Sequence, residues 1–277
     1  MNHRHFLKTV LGAVMALALG LSVGAQAQDA LARVKQAGVI KVGAETAFAP
    51  FDFIDAGTNT GLNFDVFLEV AKELGVKLEG VPLPWEGVLP GLEASKSDMV
   101  AGPSTITKAR MERYRFAPPI TEATVALLKR KGDTTVMKPS DVSGQAVGAG
   151  KASAQLAQFK DFTETLPAKA DIREYPGNNE AYADLAAGRI AAVGNSLPNI
   201  TYVAKQRADT FEVVKPAFGA KTCFGYIGRK DADSAKLMDA VQAAILKIKA
   251  DGRLATFQKK WFGDSFKTTD AVITPNI

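Results

Sequence analysis

The chain has 277 residues, of which 47% are hydrophobic, and a formal net charge of +5 that is spread along its length. Both histidines, His3 and His5, lie in the N-terminal segment, and Cys223 is the single cysteine. The rest of the chain therefore lacks the residues for His-dependent catalysis, a His-ligated metal site or an internal disulfide, and we expect neither a metal nor a cofactor. The mild and dispersed positive charge also argues against a nucleic-acid-binding patch.

The N-terminal segment has the pattern of an export signal. Arg4 and Lys8 precede an uncharged apolar run over residues 10–23, and Ala25-Gln26-Ala27 has the small-x-small form of a cleavage site. The run is shorter than the roughly 20 residues that a membrane-spanning helix needs. We therefore predict a cleaved signal peptide over residues 1–27 and, because no cysteine lies near that site, a periplasmic protein without a lipid anchor.

Strand and helix patterns alternate along the remaining chain, which predicts an α/β fold with largely parallel strand pairing. The predicted strands cover residues 39–43, 76–81, 99–102, 125–128, 146–148, 172–175, 190–193 and 211–214. The predicted helices cover residues 62–74, 154–162, 180–187, 199–205, 234–249 and 254–262.

The alternating pattern restarts at Thr124, so we predict two α/β lobes with a ligand cleft between them. Lobe 1 is discontinuous and comprises residues 28–123 and 222–277, whereas lobe 2 comprises residues 124–221. Strand-like crossings near 122–127 and 219–225 join the lobes.

An aromatic-rich loop follows the first strand. We assign Phe51 and Phe53 to a local core because they alternate, whereas Phe48, beside the polar Glu45, is a candidate ligand contact. Trp85 is a second candidate because it lies at a strand-to-helix junction, where α/β proteins bind ligands.

Residues 98–110 run from a buried strand through a polar turn into a helix. The turn consists of Pro103, Ser104 and Thr105. Thr107 suits the N-cap of the helix, which places Arg110 in the first helical turn. Free hydroxyls, helix N–H groups and a guanidinium at one point suit a carboxylate ligand. A solvated Arg110 that balances Glu112 is the alternative.

A glycine-rich turn over residues 148–153 resembles a phosphate-binding loop but fails both common patterns. Ala152 follows the lysine where Walker A needs Ser or Thr, and Ser153 stands where the dinucleotide fingerprint needs its third glycine. Ser153 at a helix start predicts either an anion-binding site or a plain helix cap. Cys223 is expected to be a small buried hydrophobic residue.

Several motifs share the order and spacing of one family. They are Glu45-Thr-Ala-Phe48-Ala-Pro-Phe51-Asp-Phe53, Trp85-Glu-Gly-Val-Leu-Pro-Gly-Leu, Thr105-Ile-Thr107 with Arg110, Ala186-Ala-Gly188-Arg-Ile, Pro198-Asn-Ile200 and Lys260-Trp-Phe-Gly263. In these motifs the chain resembles the periplasmic solute-binding proteins of polar amino-acid ABC importers, most nearly the glutamine- and histidine-binding type. The resemblance covers residues 39–263.

The resemblance implies a monomer whose lobes close around a small carboxylate-bearing solute, a polar amino acid or amino-acid derivative. The closed protein then docks to a membrane-embedded ABC permease. Arg110, with Thr105, matches the group that grips the α-carboxylate, and Ser153 lies where lobe 2 offers a helix N-terminus. Phe48 and Trp85 match the aromatic pair around the ligand side chain. Glu45 matches an acidic position that reads polar or cationic groups.

Two positions depart from the family pattern. Ser196, with Asn195 beside it, stands where the family has an Asp that holds the ligand ammonium, and Pro103 replaces a usual glycine. A neutral Ser cannot supply the counter-charge that a buried ammonium needs. Either Glu45 supplies it, or the ligand is a carboxylate without an α-amino group.

An exported enzyme is the alternative to a binding protein. The same fold is used by cyclohexadienyl dehydratases, which the chain also resembles, and such chemistry needs a positioned general acid. Glu45 is the candidate for that acid.

Overall fold

The computed structural model describes residues 28–265 and 267–277, so the predicted signal peptide lies outside it, as does the side chain of Pro103. Within the described residues, every helix is too short or too polar to cross a bilayer.

The helices are α1 (Ala30–Ala37), α2 (Leu62–Leu74), α3 (Trp85–Glu93), α4 (Lys108–Arg113), α5 (Ala154–Glu164), α6 (Asn178–Ala186), α7 (Leu197–Gln206), α8 (Ala235–Ala250) and α9 (Arg253–Phe262). The strands are β1 (Val39–Glu45), β2 (Ala47–Phe48), β3 (Asp52–Asp55), β4 (Thr58–Thr60), β5 (Lys77–Leu83), β6 (Met99–Thr105), β7 (Tyr114–Phe116), β8 (Thr121–Glu122), β9 (Val125–Arg130), β10 (Ala146–Gly150), β11 (Asp171–Tyr175), β12 (Ala192–Ser196), β13 (Phe211–Phe218) and β14 (Cys223–Arg229).

Two mixed sheets organise the chain and confirm the predicted α/β fold. The first has the order β5-β1-β6-β14-β7, with β8 beside β14, and the second has the order β11-β10-β12-β9-β13. Three neighbouring strands run parallel in each sheet: β5, β1 and β6 in the first, and β11, β10 and β12 in the second. The strands β14 and β9 run antiparallel to these parallel strands. Each of the two follows a connection through which the chain arrives from the other sheet.

Helix α2 illustrates how the sequence pattern produces an element. Its buried residues recur at helical spacing and face the first sheet, as expected of an amphipathic helix. The helix ends at Gly75, whose φ of 66° is left-handed and whose N–H bonds back to the Ala71 carbonyl. The predicted bounds of this helix, 62–74, are confirmed.

Three expectations need correction. The region after β1 is not an irregular loop, because β2, β3 and β4 form a small antiparallel sheet and Pro50 falls in the turn between β2 and β3. Cys223 is half-buried rather than buried, since it lies at the start of β14. The strand predicted at 190–193 is β12, which continues to Ser196 because the polar Asn195 and Ser196 are themselves buried.

An aromatic cluster anchors the loop that carries Phe48. Phe48 stacks on Phe51 with ring centroids 5.4 Å apart, and Phe51 contacts Phe224 of β14 at 5.2 Å. Phe51 is fully buried, and Phe224 is almost fully buried. Burial of these rings fixes Phe48 against the first sheet.

Replacing Phe51 with Ala should lower the free energy of unfolding by about 3–5 kcal/mol, because it removes a fully buried ring and leaves a cavity. Urea denaturation measures the change. Leu68, which is 37% exposed on α2, provides a matched control, and Leu68→Ala should change stability far less. Equal losses for the two variants would contradict this account of the cluster.

Candidate ligand-binding site

The ends of six strands face one cleft. In the first sheet, the parallel strands β1, β5 and β6 end at Glu45, Leu83 and Thr105, and in the second sheet β10, β11 and β12 end beside the same space. Carboxyl ends of parallel strands are where open α/β sheets bind ligands. The topology therefore gathers side chains that are far apart in the sequence.

The cleft has an empty volume of about 440 Å³, which includes space continuous with solvent. Its lining residues are Glu45, Phe48, Trp85, Thr105, Arg110, Gly150, Lys151, Ser153, Gln155, Pro176, Gly177, Asn178 and Asn195.

Arg110 places a cation on the wall formed by the first sheet. Its guanidinium donates to the Thr105 carbonyl at 3.0 Å and lies over the Trp85 ring, 5.3 Å from the ring centroid. Burial lowers the pKa of this guanidinium to about 10. Among the residues that the structure describes, no carboxylate pairs with Arg110, so the alternative in which it balances Glu112 is wrong.

The start of α4 aims Arg110 at the cleft. The Thr107 hydroxyl accepts a hydrogen bond from the Arg110 backbone N–H at 3.2 Å, which confirms the predicted N-cap. Thr105 faces the opposite wall, where Gln155 of α5 donates to its hydroxyl at 3.1 Å. This contact joins the two walls directly.

Phe48 and Trp85 both line the cleft, as the pattern predicted. Phe48 is held from behind by Phe51 and, edge-on, by Phe224 at 6.1 Å. The Trp85 indole N–H donates to the Ala152 carbonyl at 3.2 Å, across the cleft. The two rings are therefore fixed by contacts outside the ligand space, and their remaining faces are available to an apolar or sulfur-containing group.

Glu45 is the acidic group of the cleft. It is 8% exposed, and burial raises its pKa to about 8. A second carboxyl group, that of Asp52, lies behind it and accepts a hydrogen bond from the Asn63 amide at 2.8 Å. Burial, and the negative charge of Glu45, hold the pKa of Asp52 well above its usual range. This side of the cleft therefore favours a bound cation that would compensate Glu45.

Ser153 begins α5 and lines the cleft. Its hydroxyl accepts from the Leu156 N–H at 3.0 Å and donates to the Gly150 carbonyl at 2.7 Å. The hydroxyl thus acts as a helix cap, the plainer of its two predicted roles, while its position at the helix start still faces the ligand space.

Asn195, rather than Ser196, faces the cleft at the end of β12. The Asn195 amide donates to Asn178 at 3.0 Å and to Asn199 at 2.9 Å. Ser196 is fully buried and is not among the lining residues, because adjacent strand residues point to opposite faces. Ser104 is also fully buried, and its hydroxyl donates to the Gly102 carbonyl.

Several lining residues of the second sheet were not predicted from the sequence. Pro176, Gly177 and Asn178 follow β11 directly, so the strand-to-helix rule that selected Ser153 could have found them. Lys151 forms an ion pair with Glu86 at 2.8 Å across the cleft mouth. Only the fold brings Lys151 and Gln155 opposite their partners, and no local pattern marks them.

Comparison with known proteins identifies the family and the fold of the chain. The sequence profile of the bacterial extracellular solute-binding proteins, family 3, matches residues 40–264. The L-cystine-binding protein TcyJ of Escherichia coli (strain K12) is 32% identical over 268 residues, which cover 95% of this chain and 98% of that protein. The L-cystine-binding protein TcyA of Bacillus subtilis (strain 168) is 29% identical, with 85% of each chain covered.

A solved structure matches the fold as well. The ancestral amino acid-binding protein AncCDT-1, a precursor of cyclohexadienyl dehydratase, superposes with a TM-score of 0.76 and 30% identity, over 84% of this chain and 99% of that one. The chain belongs to the bacterial extracellular solute-binding proteins, family 3, and has the two-lobed fold of these binding proteins.

The buried Glu45 should make stability depend on pH. A Glu with a pKa of about 8 when folded, against an ordinary 4.5 when unfolded, binds its proton more tightly in the folded protein. The free energy of unfolding should therefore fall between about pH 5 and pH 8, by at most about 1.4 kcal/mol per pH unit for this group.

Urea denaturation across that pH range should show a smaller fall in the free energy of unfolding for Glu45→Gln. Glu112→Gln, which replaces an exposed acid on α4, should show the same fall as the wild type. Parallel pH profiles for the wild type and Glu45→Gln would contradict the assignment.

Proposed function

We propose that this family-3 solute-binding protein captures an amino acid, with L-cystine as the leading candidate, by closing two lobes around it. The observation that carries the proposal is Arg110, a partly buried and desolvated cation that faces the cleft and has no carboxylate partner among the described residues. A buried charge without a partner is costly, and a ligand carboxylate relieves that cost through paired N–H donors.

L-cystine fits the remaining walls. Phe48 and Trp85 offer aromatic faces to a disulfide, since sulfur packs favourably against aromatic rings. The opposite wall carries Asn178 and Lys151, a neutral and a basic group that suit the second carboxylate of a symmetric ligand. The names of TcyJ and TcyA support the same choice.

The ligand ammonium is assigned to Glu45. Asn195 is neutral and already donates its amide N–H groups, and the buried Ser196 carries no charge. Glu45 is the only carboxylate among the lining residues and pairs with no cation in the described chain. Pro103 and Ser104 lie in strand β6 rather than in the turn predicted before Arg110.

Lobe closure rests on contacts between lobe 1, residues 28–123 and 222–277, and lobe 2, residues 124–221. Three of these contacts are the bond from Trp85 to Ala152, the bond from Gln155 to Thr105 and the ion pair of Glu86 with Lys151. All three surround the ligand space. A bound solute that bridges the walls therefore stabilises the closed arrangement.

We further propose that residues 1–27 direct export to the periplasm and that the closed monomer presents its ligand to an ABC permease. The exported dehydratase loses support, because the named relatives are binding proteins. AncCDT-1, although a precursor of a dehydratase, is itself described as an amino acid-binding protein.

Arg110→Met should weaken L-cystine binding by on the order of 3–5 kcal/mol, because it removes a buried charge-assisted pair. Isothermal titration calorimetry measures the affinity. Arg113→Met is the matched control, since Arg113 lies on the same helix but pairs with Glu93 outside the cleft. An affinity of Arg110→Met within about tenfold of the wild type would rule out the carboxylate role of this residue.

Binding of a ligand ammonium beside Glu45 should release about one proton per ligand at pH 7, because a nearby cation lowers the raised pKa of this carboxyl group. Calorimetric titrations in buffers with different ionisation enthalpies count the protons. The release should vanish in Glu45→Gln. Binding by the wild type without proton release would favour the alternative ligand, a carboxylate that lacks an α-amino group.

A further inference from the structure

Residues 268–277, which we call the strap, follow α9 and lie along the first lobe. Lys249 of α8 holds the beginning of the strap, donating to the Thr269 carbonyl at 2.5 Å and pairing with Asp270 at 3.0 Å. The Thr268 hydroxyl donates to the Pro119 carbonyl at 2.6 Å. The strap therefore starts from fixed points on the first lobe.

The other end of the strap reaches the start of α4. Val272 packs against the apolar cluster that contains the buried Ile106, and Met111 of α4 packs against the same cluster. The Ile277 carbonyl accepts a hydrogen bond from the Lys108 N–H at 2.7 Å. Lys108 is the first residue of α4, and its N–H has no acceptor within the helix. The strap supplies that acceptor.

Helix α4 needs such support because it has six residues and none of them is buried. A helix of this length is unstable by itself in water. Its far end is held by Lys230, which donates to the Met111 carbonyl at 2.9 Å. Its near end, which precedes Arg110, is held by the Thr107 cap and the strap.

We propose that the strap positions Arg110 for the ligand carboxylate, with Val272 and Ile277 as positioning residues that do not line the cleft. The inference rests on the proposed carboxylate role of Arg110. The strap fixes where α4 begins, and the direction of the helix start determines where the guanidinium lies. Loosening the strap therefore spreads Arg110 over several positions and weakens binding without removing any ligand contact.

Val272→Asp tests the proposal in the full chain, because it places a charge against the apolar cluster that the strap covers. Ile273→Asp is the matched control, since the neighbouring Ile273 is 62% exposed. Thr268→Val is a milder variant that removes only the bond to Pro119, and Val272→Ile should preserve the wild-type behaviour. Two readouts apply: hydrogen exchange of the amides of residues 108–111, and L-cystine affinity by calorimetry.

We expect Val272→Asp to accelerate exchange in residues 108–111 and to weaken L-cystine binding roughly tenfold. Thr268→Val should change both in the same direction by less, and Ile273→Asp should change neither. Unchanged hydrogen exchange in Val272→Asp and Thr268→Val, or faster exchange with unchanged L-cystine affinity, would overturn the proposal. If the wild type fails to bind L-cystine, the proposed ligand is wrong, and the exchange data alone decide whether the strap braces α4.

Discussion

The desolvated charge of Arg110 is the constraint on which the site depends. A guanidinium held in a cleft between two sheets, with no carboxylate partner in the described chain, is costly to desolvate. The protein keeps it in place through the Thr105 carbonyl, the Trp85 ring and the Thr107 cap, all of which leave its charge unneutralised. The surrounding structure therefore favours a state in which an anion occupies the cleft.

Glu45 sets the complementary condition on the same wall. Burial keeps its carboxyl group largely protonated near neutral pH, so the empty cleft carries little negative charge there. Burial also raises the pKa of Asp52 behind it, whose carboxyl group lies in a chain of hydrogen bonds through Asn63 to Tyr226. A ligand that brings both a carboxylate and an ammonium satisfies Arg110 and Glu45 together. A ligand that brings only one leaves the other uncompensated.

Contacts between the two walls of the cleft link the ligand-binding groups to the closed arrangement of the lobes. Trp85 and Thr105 belong to the ligand space and also bond to residues of the opposite wall, Ala152 and Gln155. In the proposed binding mode, ligand recognition and lobe closure therefore use the same side chains. The strap extends this dependence to a segment remote in sequence, since the helix that carries Arg110 has no buried residue of its own.

Local pattern by itself was enough for the α/β class, the cap at Thr107 and the strand-to-helix junctions at Trp85 and Ser153, because hydrophobic period and capping chemistry act within a few residues. The family resemblance added the prediction that Phe48 and Trp85 lie on either side of the ligand side chain. Tertiary structure alone decided that Asn195 faces the cleft and Ser196 does not, that Asp52 lies behind Glu45, and that Gln155, Lys151 and the strap meet their partners. Those contacts join residues that only the sheet order and the meeting of two lobes bring together, and no short-range pattern encodes them.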